Sequence, residues 1–367
     1  MDKHSLRWGI LGAANIARKN WKAIWNSRNG RVVAVASREL ERSRQFIGAC
    51  MTQVPFEPAP RAMGSYEELL TATDVDAVYI PLPTGVRGQW VKRAAEAGKH
   101  VLCEKPCAAS VAELREMIEV CRRHKVQFMD GVMFMQSSRL QRMREVLDDA
   151  DTIGRIRRIA SAFTFYAPDE FFASNIRGRA DLEPYGCLGD LGWYCIRFAL
   201  WATNWNPPSR VTGQMLSSYK HPNGNRAVPV EFSGELFFAD GVSSSFYCSF
   251  LSETEQWATV GGERGYLRLA DFVLPFSGNQ IGFEIGKPSF EVRGCDFEMR
   301  PQIRRIEINE ASHSDPTAQE SQMFRRFAEA VQCGTLNQLW PEIALKTQLV
   351  MEKCYESAFQ QGKPLEL

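Results

Sequence analysis

The chain has no apolar run approaching the roughly 18 residues that a membrane-crossing helix needs, so no membrane span is expected. It has almost no excess of either charge: 44 Lys plus Arg stand against 43 Asp plus Glu, a formal net charge of +1. Without a field of one sign, neither nucleic acid nor an anionic membrane surface is an expected partner. Its ten cysteines include no C-x-x-C pair and no Cys/His cluster at zinc spacing, which leaves reduced thiols and no metal site. The opening MDKHSLR leads into a short apolar run without the hydrophobic core or cleavage site of a leader, and the expected location is the cytoplasm. Low-complexity tracts and internal repeats are also missing, so disorder and solenoid architectures are not expected.

What is present is an ordinary globular composition, 44% hydrophobic and 24% charged, spread over 367 residues, which is enough for two domains with a core each. In the first part, short apolar runs alternate with helical stretches. LRWGIL at 6–11, RVVAVAS at 31–37, DAVYIPL at 76–82, the run at 100–103 and that at 127–134 read as strands. Helices are expected between them, at 40–49, 89–97 and 111–123, and this alternation predicts a doubly wound parallel sheet over 1–135. Beyond position 153 the texture changes to long strand-like runs separated by ADG and GGE turns, with Val230, Phe232, Leu236 and Phe238 alternating onto one apolar face. The expected fold class is therefore α/β: an N-terminal Rossmann domain, then an α+β domain over 136–367 with a large, mostly antiparallel open sheet. The helices at 317–332 and 342–361 are candidates to cover that sheet or to pack back on the first domain.

The first turn, GILGAANIA, is a G-x-A-x-x-A form of the dinucleotide fingerprint. Gly12 permits the tight turn and Ala14 fills a later glycine position. The backbone of Ala13, Ala14, Asn15 and Ile16 then faces a pyrophosphate from a helix N-terminus. A small-residue turn of this kind also occurs simply for packing. The second strand ends Ala36-Ser37-Arg38, without the carboxylate that would take the ribose hydroxyls of NAD. Arg38, next to Ser37, can instead bond a 2′-phosphate, so NADP is expected, with NAD the alternative; a solvated arginine opening a helix is the bland reading. Pro81, Leu82 and Thr84 lie where the third of these strands leaves the sheet's carboxyl edge, the edge at which such folds bind ligands. HVLCEKP then puts Glu104 and Lys105 at the carboxyl end of a buried strand, where an ionisable pair costs desolvation unless it serves a ligand. In GCLGDLGWYC, Asp190 and Tyr194 are four apart and would share a helical face as an acid and its orienter; an N-cap aspartate with a packing tyrosine is the structural alternative.

The order GILGAANIA, ASR, IPLPT, AAEAGKHVLCEKP, FMDGVMFM, LGDLGWYCIR and YESAFQQGKPLEL resembles, over nearly the whole chain, the Gfo/Idh/MocA family of oxidoreductases, in its glucose-fructose oxidoreductase, dihydrodiol and xylose dehydrogenase branch. The resemblance implies Lys105 as the catalytic lysine, Tyr194 as the acid/base, Asp190 as its associated carboxylate and Arg177 as a basic group against cofactor or substrate. It also implies a sugar-like small-molecule substrate and a homodimer or homotetramer formed through the C-terminal sheet. Two departures change the hydrogen bonding around the pocket. Gln136-Ser137-Ser138-Arg139 stands where relatives often carry His-His-Pro-Arg, and Thr84-Gly85-Val86-Arg87 replaces the common Asn-x-x-His. An enzyme that retains and recycles its NAD(P), and a non-catalytic NADP-binding redox sensor, are the other readings compatible with these motifs.

Overall fold

The computed structural model describes residues 5–367, so the first four positions of the opening MDKHSLR, on which the expectation about a leader partly rests, lie outside them. The chain forms two compact units, the first comprising residues up to Gln136 together with Asp181–Pro184 and His313–Gln348, the second comprising Ser137–Ala180, Tyr185–Ser312 and Leu349–Leu367.

In the first unit the chain runs β1 (Leu6–Leu11), α1 (Asn15–Ser27), β2 (Gly30–Ala36), α2 (Leu40–Met51), β3 (Arg61–Met63), α3 (Tyr66–Thr71), β4 (Ala77–Ile80), α4 (Thr84–Glu96), β5 (His100–Cys103), α5 (Val111–Arg123) and β6 (Phe128–Asp130). The strands make a six-stranded sheet in the order β3-β2-β1-β4-β5-β6, with every pairing parallel. Strands β4 and β5 are buried nearly throughout, as expected for a sheet covered on both faces. Strand β3 and helix α3 lie between the expected helix at 40–49 and strand at 76–82, where no element was expected, and other elements differ in extent. Helix α4 begins at Thr84 rather than 89, because Pro83 sits at its N-cap, where a missing N–H costs nothing. Strand β6 stops at Asp130, and Met133–Gln136 turns into a short 3-10 helix after Gly131 donates to the Cys103 carbonyl at 2.7 Å.

The second unit contains α6 (Ser138–Asp148), β7 (Ile156–Thr164), α7 (Asp169–Ser174), α8 (Trp193–Ala202), β8 (Arg210–Tyr219), β9 (Val228–Phe237), β10 (Ser243–Ser249), β11 (Glu255–Gly262), β12 (Tyr266–Leu269), β13 (Ile281–Gly286), β14 (Ser289–Arg293), β15 (Asp296–Arg300) and β16 (Ile303–Ile308). Its nine-stranded sheet is antiparallel except where β10 runs parallel to β7. Alternation places Phe232, Phe246, Cys248, Val260 and Leu267 on the buried face, and all ten residues of α8 are buried. The turn at 239–241 joins β9 to β10, and that at 263–265 joins β11 to β12, as the ADG and GGE signals require. The segment Ser137 to Arg139 is structural here. Ser137 caps α6, and the Arg139 guanidinium, 2% exposed, pairs with Asp271 at 2.6 Å.

The chain then enters α9 (Gln319–Gln332) and α10 (Leu339–Phe359) and closes with β17 (Leu365–Glu366). Helix α9 packs in the first unit, beside α1, with Phe324 and Phe327 each 5.1 Å from the Trp8 ring of β1. Burying two such side chains contributes about 1.5–3 kcal/mol each. The later turns of α10 lie in the second unit, where the Ser357 hydroxyl accepts from Gly213 of β8 at 3.0 Å. Among the described residues no helix is long and apolar enough to cross a membrane.

Candidate active site

The fingerprint turn is shaped for a dinucleotide. Gly12 adopts φ +126°, and a Cβ there would stand 2.9 Å from the Leu82 side chain, so the position excludes any larger residue. Its N–H donates to Ala36 at 2.9 Å, tying the turn to the end of β2. Ala14 is the N-cap of α1, has no side chain able to cap it, and is followed by no acidic residue in the first turn. The opening N–H groups of a 13-residue helix are thus left without an internal carboxylate, the condition for receiving an external anion. Asn15 and Ile16 begin this helix exposed. The local structure fits a bound pyrophosphate.

At the end of β2, Ser37 is buried and its hydroxyl donates to the Glu39 carbonyl at 2.5 Å while accepting from Ser43 at 3.0 Å. It shapes the turn. Arg38 is exposed. Arg42, which sequence reasoning passed over, reaches back to the Ala13 carbonyl at 3.5 Å. Burial pushes the Tyr66 phenol upward, and Arg38 and Arg42 pull it back, so both guanidinium groups act on the same region. The available signal was the i, i+4 spacing of two arginines.

Leu82 covers Gly12, as the contact above requires, while Pro83 caps α4. Thr84 is fully buried: its hydroxyl donates to Glu183 at 2.6 Å and its N–H to the same carboxylate at 3.0 Å. Glu183 therefore occupies the N-terminus of α4, a role nothing in its sequence surroundings announces. The neighbouring Gly85 is required because a Cβ would stand 2.0 Å from the Asp181 carbonyl.

Strand β5 delivers Glu104 and Lys105 half-buried at its carboxyl end, followed by a cis peptide to Pro106. Glu104 accepts from the Tyr79 hydroxyl at 2.6 Å, and Asn20 donates to that same hydroxyl at 2.6 Å. Burial first, and the Glu104 charge second, hold the Tyr79 phenol well above its ordinary range, so it acts as a fixed donor to Glu104.

In the second unit, Arg177 grips Asp190 with two bonds, Nε to Oδ2 at 2.6 Å and Nη2 to Oδ1 at 3.2 Å. Asp190 does not sit at an α-helical N-cap. It lies in a π-helical turn, Leu188–Gly192, that runs into α8, the helix that carries Tyr194. Tyr194 is 7% exposed and its ring lies 5.7 Å from that of Phe163 on β7. Each unit thus holds part of the expected set: Gly12, Ala13, Ala14, Asn15, Ile16, Ser37, Arg38, Pro81, Leu82, Thr84, Glu104 and Lys105 in the first, and Arg177, Asp190 and Tyr194 in the second. A cavity of about 980 Å³, lined by Arg7, Arg31, Asp76 and His100, opens at the amino ends of the strands, the edge opposite Lys105. Among the described residues no group of His, Cys, Asp and Glu is placed to hold a metal ion.

A Rossmann unit with an open dinucleotide turn, joined in one chain to an open antiparallel sheet, defines a nicotinamide-dependent oxidoreductase. Residues 6–132 match the oxidoreductase family with an NAD-binding Rossmann fold, and residues 140–268 match the GFO/IDH/MocA C-terminal domain; the chain belongs to this family. It is similar to a dTDP-3,4-didehydro-2,6-dideoxy-alpha-D-glucose 3-reductase of Streptomyces violaceoruber, 34% identical over 77% of this chain and 78% of the relative. It is also similar to a D-xylose 1-dehydrogenase (NADP(+)) of Haloferax volcanii, 28% identical over 99% and 100%, and to the trans-1,2-dihydrobenzene-1,2-diol dehydrogenase of Mus musculus, 32% identical over 74% and 76%. Among solved structures, a Tyr-to-Phe variant of a 3-ketoreductase from Actinomadura kijaniata, in complex with TDP-benzene and NADP, superposes with a TM-score of 0.77 at 25% identity, covering 96% of this chain and 98% of that one.

Proposed function

We propose that the protein is an NADP-dependent oxidoreductase that moves a hydride between the nicotinamide and a CH–OH or C=O carbon of a sugar-like or dihydrodiol substrate. The cofactor, when bound, supplies the hydride chemistry. The first unit binds and orients it, and the second carries substrate and forms the homodimer or homotetramer contact through its open sheet, in a cytoplasmic enzyme. Tyr194 exchanges the proton of the reacting hydroxyl, Lys105 favours the charged oxygen during that exchange, and Asp190, with Arg177, steadies the segment that bears Tyr194.

The observation that carries the choice of NADP is Arg38, just past the end of β2 where an NAD site would place a carboxylate, together with Arg42 of α2, which reaches the Ala13 carbonyl. Each guanidinium–phosphate contact is a charge-assisted bond, and losing one costs about 1.5–3 kcal/mol, or roughly 10- to 100-fold in affinity. Titration with NADPH and NADH, followed by nicotinamide fluorescence, is expected to show preference for NADPH in the wild type. In Arg38→Ala and Arg42→Ala that preference collapses while NADH binding holds. Equal affinity for both dinucleotides in the wild type, or a variant that weakens both alike, removes the 2′-phosphate from this assignment. Initial rates with NADP and D-xylose or trans-dihydrodiols then sort the substrate class.

A further inference from the structure

We propose that Arg87 is a positioning residue for Lys105, a role that rests on the assignment of Lys105 to the reaction. Arg87 stands in the fourth place of the element where relatives often carry histidine, and only 2% of it is exposed. A buried guanidinium is costly unless its N–H groups are satisfied, and no carboxylate among the described residues forms an ion pair with this one. Its bonds go instead to two backbone carbonyls. Nε donates to Leu82 at 2.9 Å, Nη2 donates to the same oxygen, and Nη1 donates to the carbonyl of Pro106.

Those two carbonyls belong to the exits of β4 and β5, which are neighbours in the sheet. Leu82 is the residue whose side chain closes on Gly12, and Pro106 directly follows Lys105. One planar fork therefore fixes the wall of the dinucleotide turn and the peptide that carries Lys105 onward. An ammonium has no such fork, so lysine cannot span both acceptors in one fixed geometry. The consequence for chemistry is steep because a displacement of about 1 Å in a reacting group costs on the order of 100-fold in rate.

The test is trace acetylation of Lys105 by acetic anhydride, read by peptide mass spectrometry with and without saturating NADPH, in wild type, Arg87→Met, Arg87→Lys and Lys105→Arg controls. In the wild type, NADPH is expected to slow acetylation of Lys105 by roughly ten-fold, because a lysine held against the cofactor is shielded from the reagent. In Arg87→Met, protection drops below about two-fold even with NADPH raised to saturate the variant by its own fluorescence-derived Kd, a loss that weaker cofactor binding alone does not produce. Arg87→Lys, which keeps charge and bulk, recovers part of the protection and serves where the methionine variant does not fold. Full protection of Lys105 at saturating NADPH in the folded Arg87 variants overturns the positioning role. A wild type whose Lys105 is unprotected at saturating NADPH overturns the assignment of Lys105 instead.

Discussion

Tyr194→Phe and Lys105→Ala are each expected to lower kcat by roughly 10²- to 10⁴-fold, the range contributed by a positioned proton-transfer group, with NADPH affinity within a few-fold of wild type. The phenylalanine variant isolates the hydroxyl. Tyr194 is 7% exposed and its ring packs near Phe163, so a ring of the same size keeps the packing of α8 and removes only the hydroxyl proposed to exchange the proton. Lys105 is half-buried on a turn whose backbone is fixed by Arg87, so truncation to alanine leaves the chain path intact. Steady-state kinetics with NADP and whichever sugar or dihydrodiol the wild type oxidises fastest provides kcat; fluorescence titration provides the Kd. Retention of near wild-type kcat by both variants sinks the proton-transfer assignment. Loss of kcat together with loss of NADPH binding in Lys105→Ala would move that lysine to a purely cofactor-holding role.

Much of the first unit was legible because its signals are local. Buried apolar runs of four to seven residues mark β1, β2, β4 and β5, and Gly12, Ala13 and Ala14 favour a close turn into a helix. The position of Glu104 and Lys105 at the end of β5 follows from the same pattern. What escaped was decided by contacts distant in sequence. The apolar face of α9 announces a partner without saying which, and the choice of Trp8 and α1 emerges only on folding. Glu183 bonds Thr84 across 99 positions, and no composition signal links them. The π turn at Leu188–Gly192 differs from an α-helical turn by a single shift in hydrogen-bond register, which leaves no mark in residue type beyond its glycines. The bond of the buried Ser37 hydroxyl to the Glu39 carbonyl is likewise a product of the turn's folded path, which residue type alone does not specify.

Arg139→Met is expected to destabilise the second unit by about 3–5 kcal/mol, the cost of breaking a buried ion pair while leaving its partner in place. The guanidinium is 2% exposed, donates to Asp271 Oδ1 at 2.6 Å, and bonds the backbone carbonyls of Asp271 at 2.9 Å, Phe272 at 3.4 Å and Gly282 at 3.3 Å. It thus joins α6 to the loop after β12 and to β13. Methionine fills much of the volume but satisfies none of these acceptors, and the Asp271 carboxylate keeps only the Phe276 N–H, at 2.9 Å. For a unit of this size the penalty corresponds to a fall in Tm of roughly 6–20 °C. Differential scanning calorimetry of the variant measures it, and a shift of only 1–2 °C would show that solvent or a rearranged loop compensates the stranded carboxylate. Adding Asp271→Leu removes the uncompensated charge and is expected to recover part of the loss but not all, because the Phe276 N–H and the three carbonyls remain without their partners. NADPH binding, which belongs to the first unit, should be unchanged in both variants when measured below the transition.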